Sequence, residues 1–192
     1  VGGRAATRRA EGLAFDHGAQ YFTARGPAFQ TEVASWHAFG AAARWERPVV
    51  ELAEGRISAP SESSARHVGT PGMSAIGRAL ATGLELLLST RIEALEAESS
   101  GGWRLRDERG ERFGPFDAVA IAAPAPQAAA LLAPAPGLAA RAASVDMAPC
   151  LAGLVAFATP LPCAFDGAFV RDSALGWAAR NASKPGRPDA EG

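Results

Sequence analysis

The residues with the most chemistry to offer lie in two stretches near opposite ends of the chain. Asp16-His17-Gly18-Ala19-Gln20-Tyr21-Phe22 sets an imidazole, an amide and the chain's only tyrosine around two residues with almost no side chain. A flat ring can lie against the backbone of Gly18 and Ala19, and Gln20 carries both a donor and an acceptor for a ring edge. The same segment also reads as a buried strand with one aromatic anchor and a satisfied amide. In the second stretch, Trp177 precedes Asn181, Lys184 and Arg187, with Pro185 and Gly186 fixing a turn. An indole beside an amide can wall a pocket for a planar substrate, and the two basic residues can meet its phosphates. The plainer reading is a tryptophan anchor and a solvated basic turn.

Gly2-Gly3-Arg4 is a third candidate. A glycine turn lets backbone approach a ligand closely, and a guanidinium forks onto phosphate or ribose oxygens. Several other chemistries drop out. Gly72-Met73-Ser74-Ala75-Ile76 departs from a nucleophile elbow at its last position, and no Gly-Lys-Ser/Thr phosphate loop occurs. His17, His37 and His67 do not stand at ligand spacing on a helix, and Cys150 and Cys163 lack the paired spacing of a zinc site.

Together with Val68-Gly69-Thr70-Pro71-Gly72-Met73, these segments resemble the renalase-like branch of the flavin-dependent amine oxidase superfamily, over nearly the whole chain. The resemblance implies an α/β (mixed α+β) fold, in which a Rossmann-like dinucleotide domain holds FAD and a substrate domain is inserted in two pieces. It places 1–25 and 68–124 in the first domain and 26–67 and 125–192 in the second. It implies oxidation of a reduced nicotinamide-type or amine substrate by hydride transfer to FAD, with oxygen as acceptor. Gly2, Gly3, Arg4, Gln20, Tyr21 and Ile92 would contact FAD, Ile92 through the backbone that receives adenine. His17, Trp177, Asn181 and Lys184 would contact substrate, and Gln20, Trp177 and Asn181 would form the catalytic set. Hydride transfer needs stacking and distance more than an acid or base, because the cofactor carries the hard chemistry. The alternative is a binding or scaffold module that has lost its cofactor. No Gly-x-Gly-x-x-Gly occurs, the first residues fall within a glycine turn and the last have no closing element. These features predict a central fragment that is itself inactive and binds FAD poorly.

Local patterns supply the elements that would hold these residues. The opening segment to Arg9 reads as a loop, and Phe15 to Thr23 as an extended piece. Pro27 starts a helix with Phe29, Val33 and Trp36 at helical spacing and Gly40 as its stop. Short extended pieces follow from Trp45 to Ile57, then a loop at 59–66 and a half-buried helix carrying Met73, Ile76, Leu80 and Leu84 on one face. Glu85–Ser89, Arg91–Glu98, Trp103–Asp107 and Arg112–Phe116 alternate as strands of a meander, with Ser99-Ser100-Gly101-Gly102 as a turn. Asp117–Ala123 is an unbroken apolar run, the pattern of a strand covered on both faces, and a helix follows near Gln127 to Leu132. Further strands are expected at Leu151–Phe157, Gly167–Arg171 and Leu175–Ala179.

Composition bounds the rest. Hydrophobic residues at 48% suffice for a packed core, which excludes disorder. A net charge of −1 supplies no field toward nucleic acid or an anionic membrane. Prolines at 124, 126, 134 and 136 interrupt the most apolar stretch, so no spanning segment is expected. Two isolated cysteines suit a reducing compartment, with the cytoplasm as default. Lys184 is the chain's single lysine among 19 basic residues.

Overall fold

Helix α1 shows how the sequence sets a local boundary. It runs Pro27–Ala38, with the proline at its first turn, where no backbone donor is needed. Gly40 adopts φ 70°, and the end closes with Ala41 N–H donating to the Trp36 carbonyl and Gly40 N–H to that of His37. This glycine-terminated cap satisfies carbonyls that would otherwise lack partners.

The computed structural model describes residues 2–10, 12–60, 64–159 and 161–188. In chain order the strands are β1 (Thr7–Ala10), β2 (Leu13–Asp16), β3 (Ala42–Arg44), β4 (Val49–Ala53), β5 (Arg56–Ser58) and β6 (His67–Gly69). Then come β7 (Ile92–Ala97), β8 (Trp103–Asp107), β9 (Arg112–Phe116), β10 (Gly167–Val170) and β11 (Trp177–Ala179). The remaining helices are α2 (Ser74–Leu80), α3 (Ala125–Leu131) and α4 (Pro136–Ala143). The fold is mixed α/β, and the chain divides into two compact units, 1–84 with 152–192, and 85–151.

In the first unit β1 and β2 form a hairpin, β3 pairs with β6, and a four-stranded sheet runs β11-β10-β4-β5. β10 is parallel to β4, which brings the end of the chain beside its first third. Trp45, Val49, Val68 and Met73 make the core, with Tyr21, Phe22, Phe169 and Trp177 packed against it. Val68 is wholly enclosed, and burial of such a side chain stabilises by about 1.5 to 3 kcal/mol.

The second unit is the expected meander, β7-β8-β9, all antiparallel, followed by α3 and α4. Asp107 closes the β8–β9 turn, its Oδ1 accepting from Arg109 and Glu111 N–H. The sequence signals for these three strands are local and survive, whereas the fourth expected strand does not.

Other expectations require correction. The opening segment holds a strand, β1, because its backbone pairs with β2 in register from Thr7 opposite Asp16 to Ala10 opposite Leu13. Glu85–Ser89, Asp117–Ala123 and Leu151–Phe157 form no strand, and Leu151 is 97% exposed. Apolar character alone does not make a strand: each segment lacks a pairing partner among the described residues. The face of α2 is buried only at its start, since Met73 is enclosed whereas Leu80 and Leu84 are exposed.

His67 lies where β6 meets α1. Its Nδ1 is 3.0 Å from His37 Nε2, and its ring stacks on Phe22. Burial, the neighbouring His37 and the charge of Arg44 lower its pKa from the ordinary 6.5. A histidine held neutral by the fold contributes stability above its unfolded pKa, and that contribution is lost as pH falls. Urea unfolding at about pH 8 and about pH 5 should therefore show lower stability in acid, with the difference reduced in His67→Phe. An unchanged difference in the variant would exclude His67 as its source.

Candidate active site

All four segments singled out in the sequence meet in the first unit, and Asp16 is where they join. Its side chain is fully enclosed, at the end of β2. Oδ1 accepts from Thr7 Oγ1 at 2.8 Å and from Met73 N–H at 3.0 Å. Oδ2 accepts from Arg187 Nε at 3.2 Å, from Arg187 Nη2, and from Lys184 Nζ at 3.4 Å. The main chain of Asp16 is engaged as well. Its N–H donates to Asn181 Oδ1 at 3.2 Å, and its carbonyl accepts from Gln20 Nε2.

Burial works to raise the Asp16 pKa, but the bonds from Arg187 and Met73 N–H, with the charges of Arg187 and Lys184, outweigh it. The carboxyl is held below its ordinary value. For Lys184 the balance falls the other way: burial and the charge of Arg187 outweigh the attraction of Asp16, and its pKa is lowered to about 8. Two buried cations share one carboxylate, and the lysine sheds the excess charge more readily than an arginine can.

The basic turn is therefore not solvated. Lys184 and Arg187 have their side chains buried and aimed at Asp16, and Arg187 Nη1 also donates to the carbonyls of Gly69 and Pro185 at 2.6 and 2.7 Å. Lys184 Nζ donates to Gln20 Oε1 at 2.9 Å and lies 5.8 Å above the Trp45 ring. Asn181 Nδ2 donates to the Ala14 carbonyl at 2.6 Å, so this amide ties the last segment to β2.

Trp177 stands in an aromatic group, with ring centroids 4.7 Å from Phe169, 5.4 Å from Tyr21 and 6.3 Å from Trp45. Its Nε1 is buried and has no acceptor among the described residues. On the outer side, Gly3, Arg4, His17, Gly18 and Ala19 are exposed and adjacent, joined by Ala19 N–H donating to the Arg4 carbonyl at 2.8 Å. Gly18 is required by this contact: a Cβ there would lie 2.0 Å from that carbonyl oxygen. The missing side chain thus accommodates protein backbone. The Arg4 guanidinium makes no hydrogen bond or ion pair among the described residues.

Of the remaining expected contacts, Gly2 leads into the turn beside α2, with its Cα near Ser74, and Ile92 opens β7 in the second unit. No group of three metal-binding side chains occurs among the described residues, and none of their helices is long and apolar enough to cross a membrane.

Residues 36–177 match the family of flavin containing amine oxidoreductases. The match covers most of the chain, which belongs to this family. Trp177 is its last residue, whereas Asp16, Gln20, Lys184 and Arg187 lie outside the matched span. Membership marks the chain as part of a flavin-dependent oxidoreductase family acting on small molecules.

The two cations predict unequal costs. Removing Arg187 leaves the carboxylate with its weaker charged partner, and breaking a buried pair in this way costs about 3 to 5 kcal/mol. Lys184→Met should cost clearly less than Arg187→Met in urea unfolding, because it also removes a desolvated ammonium. Equal costs would mean that the lysine is no less firmly held. The contribution of Asp16 itself is full above its ordinary pKa of 3.8 and is lost in acid, as pH falls through the depressed folded value.

Proposed function

We propose that the first unit carries the flavin- and substrate-facing side of a renalase-like oxidoreductase, which oxidises a reduced nicotinamide-type or amine substrate with oxygen as final acceptor. The observation that carries this reading is the adjacency of two separately chosen segments. Gly3-Arg4 and His17-Gly18-Ala19 share an exposed surface of small residues with an unbonded guanidinium at its side. The residues fit a flat, phosphate-bearing group: among the described residues neither the Arg4 guanidinium nor the buried Trp177 Nε1 has an acceptor.

In this reading Arg4, with Gly2 and Gly3, binds the phosphate or ribose end of FAD. Gln20 and Tyr21 face the ring. Gln20 Oε1 is fixed by Lys184 and its Nε2 by the Asp16 carbonyl, so the amide is preoriented, which lowers the ordering cost on binding. Bound FAD supplies the hydride acceptor. Trp177, set by Phe169 and Tyr21, forms a wall that aligns a planar substrate and excludes water, with Asn181 and His17 at its margins. Lys184 acts from behind Gln20 rather than on substrate phosphates, since its side chain is enclosed.

The chain alone is expected to bind FAD poorly, so the test uses it joined to a strand and Gly-x-Gly-x-x-Gly turn of the dinucleotide-binding type: titration with FAD, followed by anaerobic mixing with reduced nicotinamide dinucleotide or an amine. Arg4→Ala should lower flavin occupancy, whereas Gln20→Ala and Trp177→Ala should slow flavin reduction about 10- to 100-fold at retained occupancy. His17→Ala should matter less. Full occupancy with slowed reduction in Arg4→Ala, or wild-type behaviour in Trp177→Ala, would overturn the assignments. Failure of every substrate to reduce the bound flavin would favour a binding module.

A further inference from the structure

Asp16 has no part in the contacts assigned above to cofactor or substrate, yet it touches more of the assigned residues than any of them touches. Through its side chain or main chain it bonds Gln20, Asn181 and Lys184. We propose that Asp16 is the positioning residue of the site: it holds the Lys184 ammonium against Gln20 Oε1, and so sets both the protonation of Lys184 and the orientation of the Gln20 amide. The consequence for catalysis rests on the flavin reading, whereas the contact does not.

The geometry leaves Lys184 little choice. Its acceptors are Asp16 Oδ2 and Asn181 Oδ1, both at 3.4 Å, and Gln20 Oε1 at 2.9 Å. The charged groups facing it are Asp16 from β2 and Arg187 from its own segment, and the Trp45 ring covers it from beyond β3. Of the two charged groups, Asp16 alone favours the protonated amine, and the face of the Trp45 ring adds a weaker attraction. Asp16 Oδ2 is in turn held by Arg187, and Oδ1 by Thr7 and Met73 N–H, so the carboxylate cannot swing away without abandoning four donors. Gln20 Nε2 is fixed by the Asp16 carbonyl, so a lysine donor on Oε1 completes a single amide orientation.

Lys184 is the chain's only lysine, so protein grown with 13C-lysine gives one titrating side-chain signal. Without flavin, the wild-type midpoint should lie near 8. In Asp16→Asn it should fall by about 1 pH unit or more, the scale of a nearby opposite charge. Asp16→Glu should recover part of the shift. Arg187→Gln, which removes the like charge, should raise the midpoint, and if Asp16→Asn does not fold, a midpoint in Asp16→Glu displaced from the wild-type value decides the matter. A wild-type midpoint at the ordinary 10.5, or an unmoved midpoint in folded variants, overturns the proposal. With FAD bound, the alkaline limb of flavin reduction should move with the lysine midpoint across the same variants. A shifted midpoint with an unmoved limb overturns the positioning role, whereas failure of the flavin reading would show separately as absent occupancy.

Discussion

A fully enclosed carboxylate must be given enough donors to replace water, and in the first unit that requirement recruits distant parts of the chain. Asp16 draws Thr7 from β1, Met73 N–H from the start of α2, and Lys184 and Arg187 from the last described segment. The bond from Thr7 lies within the β1–β2 hairpin, and the other three close long loops. The parallel pairing of β10 with β4 runs in the same sense, so backbone ladder and charge cluster both hold the end of the chain to its beginning. The aromatic group of Tyr21, Trp45, Phe169 and Trp177 then packs beside the cluster, reducing the solvent that would otherwise weaken it.

This arrangement separates two tasks. The enclosed side, Asp16 with Lys184 and Arg187, fixes geometry and charge, while the exposed side, Gly3, Arg4 and His17 to Ala19, keeps a small-residue surface and a guanidinium with no acceptor among the described residues. Gln20 stands between them, half-buried, with its amide bonded inward. In a flavin-dependent family the cofactor brings the reactive atoms and the protein contributes placement and electrostatics.

What could be read from the sequence was local. Pro27 and Gly40 bound α1, the glycine turn between β7 and β8 and the alternation around it marked the meander, and β10 and β11 stood close to their expected places. Strand pairing is not local, so nothing in the opening segment marks β1, and three runs that read as strands have no pairing partner among the described residues. The site divided in the same way. Gln20, Tyr21, Trp177 and Asn181 stand out by residue type and motif as candidates, but the bond from Arg187 to Asp16 spans 171 residues. Nothing local distinguishes a buried arginine from one on a solvated turn, and Lys184 was misplaced for the same reason. A signal was present in retrospect: a lone lysine and an aspartate in the two richest motifs invite pairing.

The central claim is that Asp16 and Arg187 act as one unit, and a double-mutant cycle tests it most directly. Asp16→Asn, Arg187→Met and the double variant would be compared by urea unfolding near neutral pH. Strong coupling, about 2 to 3 kcal/mol, is the predicted result, because once one partner is gone the loss of the other should cost little more. Additive costs, with coupling within about 0.5 kcal/mol of zero, would contradict the account.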